Sequence, residues 1–143
     1  MTIKNDAKYF FDLSGRLIKI SDKNGNEMII TYTNGRITSV TDGVDREFIF
    51  SYSGNYLTSI TAPDDTVITY SYSGSQLTSV TYPDGRKIVF ANRESNPVFM
   101  LYDVNGKEIY MTEYEYYNGF AKEIREYGVK NGKRSLMKTT EFV

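Results

Sequence analysis

The chain has 143 residues, one domain's worth, and a formal charge of −1 with acidic and basic side chains interspersed. It contains no His, Cys or Trp, which excludes imidazole bases, thiol nucleophiles, disulfides and zinc held by His or thiolate. The basic excess that phosphate neutralisation demands is missing, so no nucleic-acid partner is expected, and no apolar run approaches the ~20 residues of a membrane span.

Residues 1–10 read as a lead-in, too polar from Met1 to Lys8 for a signal peptide. From 11 to 91 the chain echoes itself every 20 residues. Ile37-Thr38-Ser39-Val40-Thr41 returns as Leu57-Thr58-Ser59-Ile60-Thr61 and as Leu77-Thr78-Ser79-Val80-Thr81, with Leu17 to Ile20 opening the series. A fixed period of this size marks a supersecondary unit that buries its apolar side against copies of itself.

Within each repeat one stretch alternates strictly. Met28, Phe48, Ile68 and Ile88 form one column, Ile30, Phe50, Tyr70 and Phe90 the next, and Tyr32, Tyr52 and Tyr72 a third that lapses at Asn92. Small residues sit between them at Thr31, Ser51, Ser71 and Ala91. Period two with large side chains on one side predicts half-buried strands. The strand carrying Ile37 and Val40 alternates poorly, and the spacing leaves open which of the two faces inward. Its Thr38 and Ser39 are expected to face water.

Two turn signals punctuate the repeat. Ser14-Gly15, Asn34-Gly35, Gly54-Asn55 and Gly74-Ser75 supply the positive φ that tight hairpins require. The second is clearest in Tyr82-Pro83-Asp84-Gly85, placed as a type I turn prefers, and its last column reads Gly25, Asp45, Asp65, Gly85. A left-handed backbone is expected there, since Asp tolerates it better than most residues.

After Phe90 the beat breaks. Asn92 to Pro97 reads as a longer loop, followed over 92–143 by further hairpins: Tyr102 to Lys107 restarts the pattern, Tyr110, Tyr114 and Tyr116 share a face, and Asn118-Gly119 is a hairpin turn. About thirteen strands are expected, more than a twisted open sheet carries without curling or splitting. The fold class is therefore all-β: a repeat array of antiparallel β-hairpins, a meander, forming a curved or curled sheet.

Phe11-Asp12-Leu13-Ser14-Gly15-Arg16-Leu17 and Tyr102-Asp103-Val104-Asn105-Gly106 resemble the Tyr-Asp opening of YD repeats, also called RHS repeats. Arg36, the Thr-Ser-Val/Ile-Thr blocks and Tyr82-Pro83-Asp84-Gly85-Arg86 are similar to the rest of that consensus, from about Phe11 to Lys107. The resemblance implies a segment of large bacterial RHS proteins, of insecticidal toxin complexes or, more distantly, of teneurins. In those proteins a spiral β-sheet shell can enclose a toxic domain. It further implies a secreted or cell-surface setting and, as partners, other segments of the same or a parent protein. The middle copies depart from the pattern, reading Tyr32-Thr33, Tyr52-Ser53 and Tyr72-Ser73 where Tyr-Asp is expected.

The candidate chemistry is thin. Asp22-Lys23-Asn24-Gly25-Asn26 has oxygens at alternate positions but neither the loop length nor the closing Glu of a calcium hand, and Asp, Asn and Gly are what turns need anyway. Asp64-Asp65, adjacent at a turn, do not hold two carboxyls across a sugar. Lys130 to Arg134 reads as a solvated hairpin tip. Tyr32, Tyr52, Tyr72 and Tyr102 are the candidate ligand-stacking residues, weighed against a core role with hydroxyls at the rim. The expectation is a non-catalytic structural segment with no cofactor or metal, self-associating through an edge or its aromatic face. The alternative is a carbohydrate-binding module that uses surface tyrosines to hold a glycan.

Overall fold

The structure is a computed structural model and describes residues 7–93 and 96–142. The lead-in expected before residue 7, and Glu94-Ser95 of the expected loop, lie outside the described residues. The described chain is all strand and turn. The strands are β1 (Lys8–Phe11), β2 (Leu17–Ser21), β3 (Glu27–Thr33), β4 (Arg36–Thr41), β5 (Glu47–Ser53), β6 (Tyr56–Thr61) and β7 (Val67–Ser73). They continue with β8 (Gln76–Thr81), β9 (Lys87–Arg93), β10 (Asn96–Tyr102), β11 (Glu108–Tyr117), β12 (Phe120–Lys130) and β13 (Lys133–Glu141). Strand order along the sheet is the chain order, the antiparallel meander expected from the repeats. The chain divides into two units, Met1–Val67 and Ile68–Val143.

In the first unit every cross-strand row of one face is apolar. Tyr9, Ile20 and Met28 are partners across β1, β2 and β3, and Ile30, Val40 and Phe48 across β3, β4 and β5. Phe11 pairs with Leu17, Tyr32 with Ile37, Phe50 with Ile60 and Tyr52 with Leu57. Lys8, Lys19, Glu27 and Glu47 all fall on the other face.

The poor alternation of β4 has a cause. Ile30 pairs with Val40 and Tyr32 with Ile37, so Thr38 is an extra residue on β4. This is a β-bulge, and it returns Ile37 and Val40, three apart, to the same face. Both therefore lie on the aromatic side. The device repeats at Thr58 opposite Ser51/Tyr52 and at Thr78 opposite Ser71/Tyr72. Each bulged threonine donates its hydroxyl across the ladder: Thr38 to the Thr31 carbonyl (3.4 Å), Thr58 to Ser51 (3.2 Å) and Thr78 to Ser71 (3.0 Å). The expectation that Thr38 and Ser39 face open water is corrected accordingly. Both are half-buried, and the equivalent Ser79 is 4% exposed.

The two turn types separate cleanly. Asn34-Gly35 has φ of 51° and 79°, both positive, as a type I′ loop requires, and Thr33 pairs with Arg36 around it. Gly54 and Gly74 are positive only at the first loop position, the type II′ signature. Ser14-Gly15 belongs elsewhere. Its loop runs from Asp12 to Arg16, with the Gly15 N–H donating to the Asp12 carbonyl at 3.0 Å and the Asp12 N–H to Arg16 at 2.9 Å. The same pair of bonds closes 22–26, 42–46, 62–66, 82–86 and 103–107. This is a type I turn followed by a left-handed residue, and Asp45 and Asp65 occupy that position at φ 60° and 62° as expected.

In the second unit the strands run on through most of the stretch read as a long loop. Asn92 and Arg93 end β9, and Asn96 and Pro97 open β10, with Arg93 opposite Asn96. Phe99 sits edge-on between Phe90 and Tyr114, with both centroid separations at 5.2 Å. Tyr110, Tyr114 and Tyr116 do share a face, set opposite Gly128, Ile124 and Ala121. The fully buried apolar side chains among the described residues are Val98 and Met111, at 1% and 2% exposure, on the face opposite the Phe90–Phe99 ladder.

Candidate functional site

Two features merit a functional reading: the aromatic face of the first unit and the aspartate loops of both units. The loops are built by local chemistry. In the loops at Asp12, Asp22, Asp42 and Asp103, Oδ1 accepts the backbone N–H groups two and four residues on. This satisfies donors that the turn leaves unpaired. In the loops at 62 and 82 the first position is Ala62 or Tyr82, and the carboxylate sits two residues later. Asp64 accepts from the Thr66 hydroxyl at 2.6 Å, and Asp84 from the Arg86 backbone and side chain at 3.0 and 2.6 Å. The aspartates the middle Tyr-x pairs lack are thus carried by the opposite loops.

At Asp12, Asp22, Asp42, Asp64 and Asp84 these bonds favour the ionised carboxylate. Asp12 is lowered from the ordinary 3.8, first by the Arg16 backbone N–H, and Asp84 by that of Arg86. Asp22 is lowered first by the Asn26 side chain, Asp42 by Arg46, and Asp64 by Thr66. None is poised as a general acid. Between neighbouring loops run open troughs, one of about 370 Å³ floored by Ile20 and Met28 and edged by Asp22, Asp42 and Arg46. A second repeats it one step along, at Asp42, Phe48, Pro63 and Asp64. Asp42 is held by Arg46 at 2.6 Å. Among the described residues no group of three or more acidic side chains clusters as metal ligands would.

The four candidate tyrosines do not form one row. Tyr32 and Tyr52 share the aromatic face of the first unit, both half-buried. The Arg16 guanidinium lies 4.9 Å from the Tyr32 ring centre and Arg36 5.4 Å from that of Tyr52. The Tyr32 hydroxyl donates to the Leu17 carbonyl at 3.0 Å, and Arg36 donates to the Gly54 carbonyl and Asn55 Oδ1. In the second unit Tyr72 pairs with Leu77 on the face shared by Val80, Ile88 and Leu101, whereas Tyr102 pairs with Lys87 on the other. Tyr102 Oη lies 3.7 Å from Met100 Sδ. Sequence reasoning missed the bulged threonines, for which the three-residue spacing of Ile37 and Val40 was the available signal.

This is a repeat protein: a tight hairpin, a β-bulge and a type I loop with a left-handed residue recur along the chain. Residues 50–87 match the RHS repeat family, as the resemblance led us to expect. No curated protein matches it. Among solved structures, the crystal structure of TcdB2-TccC3 is similar to it, with a TM-score of 0.51 and 14% identity over 94% of this chain. The likeness is one of fold, and this chain spans 10% of the length of that one. Among the described residues no helix is long and apolar enough to cross a membrane.

Proposed function

We propose that this chain is a non-catalytic wall segment of a larger, secreted or cell-surface RHS-type shell protein, with its aromatic face turned toward what the wall encloses. The observation that carries this reading is the face of the first unit: every row from Tyr9 to Leu57 is apolar, and Lys8, Lys19, Glu27 and Glu47 lie on the other side. The RHS match and the likeness to TcdB2-TccC3 support it. In this reading residues 11–91 are the repeat array and 92–143 continue the sheet, and the partners are other segments of the same or a parent protein.

A wall can be lengthened. Stability in a repeat array is close to a sum of unit and nearest-neighbour terms, so inserting a second copy of residues 51–70 keeps the β-sheet circular dichroism and does not lower the unfolding midpoint. Collapse of the fold on insertion would reject the wall.

The second reading is a glycan-binding module using Tyr32, Tyr52, Tyr72 and Tyr102. It is favoured by the half-exposed Tyr32 and Tyr52 rings, each under a guanidinium. Saturable binding on a glycan array, lost in Tyr52→Ala with the fold intact, would establish it in place of the wall.

A further inference from the structure

We propose that the aromatic face of the first unit pairs with the same face of a second copy of this chain, so that two single-layer sheets make one two-layer sandwich. The proposal draws on the face alone and does not rest on the wall reading.

The first ground is area. Tyr9, Phe11, Met28 and Phe48 are 52%, 59%, 42% and 44% exposed. At roughly 200 Å² per side chain of this size they present on the order of 400 Å². The half-buried residues of the same rows, such as Ile30 and Phe50, add to this and carry the face from the ~300–600 Å² patch of an ordinary monomer toward the ~800 Å² that each partner buries in a standard stable interface.

The second ground is charge. A two-fold interface sets a surface against itself, so a charge close to the axis meets its own kind. The paired rows of this face hold no charged residue, since Lys8, Lys19, Glu27 and Glu47 all fall on the opposite side; its charges lie at the margins, with Arg16 and Arg36 over Tyr32 and Tyr52 and with Asp42 and Arg46 beside Met28.

The third ground is shape. Two sheets pack face to face at about 10 Å with strands aligned to within about 30°, an angle that each sheet's own twist sets. A second copy has the same twist by identity, which a partner of unrelated fold does not.

The test is sedimentation velocity on the full chain across a dilution series, with Phe48→Glu and, as the opposite-face control, Ile49→Glu. Both positions are already exposed, so neither charge enters a packed core. The expected result is a dimer at high micromolar concentration that Ile49→Glu retains and Phe48→Glu shifts at least tenfold toward monomer, with unchanged circular dichroism. A second measurement needs no variant. A soluble nitroxide broadens methionine methyl signals in proportion to exposure, and at dimer concentration Met28 is protected while Met137, 68% exposed, is broadened. A monomer at every concentration overturns the pairing and leaves the wall reading standing. So does a dimer that Ile49→Glu breaks and Phe48→Glu does not, or one in which Met28 broadens as fully as Met137.

Discussion

At the residue scale the informative side chains are small. Thr38, Thr58 and Thr78 are in phase because each fills the extra place on a strand and closes a carbonyl that the bulge leaves open. Thr78→Ala, the one with the shortest such bond, is expected to cost about 0.5–1.5 kcal/mol. Thr78→Val should cost as much, because it keeps the shape and removes the donor. Urea unfolding with unchanged slope would read it. A threonine that faced only water would show no change, which is what the sequence pattern by itself led us to expect.

At the scale of the element, the loops tie stability to pH. Asp12, Asp22, Asp42, Asp64 and Asp84 all ionise more readily folded than unfolded. A depressed folded value stabilises above the unfolded value and loses that contribution as pH falls through the folded one. The unfolding midpoint is therefore expected to hold through neutral pH and to drop as pH passes below the ordinary 3.8. Thermal scans from pH 6 to pH 2 would check it, and Asp42→Asn should flatten the drop. The strands and both turn types were legible in the sequence, because alternation and left-handed residues act within a few positions. Ser14-Gly15 was sorted with the wrong turns because its Gly suits either, and only the Asp12 bonds distinguish them. Asn92 and Pro97 misled for a related reason, since residues that favour a loop also occur at strand ends, where these two pair.

For the whole molecule, burial was the least legible property, because it depends on what lies opposite a face and not on the pattern along it. The columns Tyr32, Tyr52 and Phe50 read as core, yet they are half-buried, and the buried Val98 and Met111 sit on the other side of the second unit. Phe50→Ala is expected to cost about 1.5–2.5 kcal/mol in dilute protein, half the ~3–5 kcal/mol of a fully buried ring. In the paired state the cost should rise toward the full value. Unfolding curves at two concentrations separate the two figures, and equal costs at both would mean the ring sees the same surroundings throughout.

The meander also has a kinetic side. Every ladder traced within the two units joins strands adjacent in the chain. Loop closure is therefore short at each step, and an all-β protein of this kind escapes the slow search that distant pairings impose. A hairpin closes in about 1–10 μs, and each finished hairpin offers its free edge as the template for the next. On a ribosome the first strands can be zipped before the last are made, so the molecule grows in the order in which it is read.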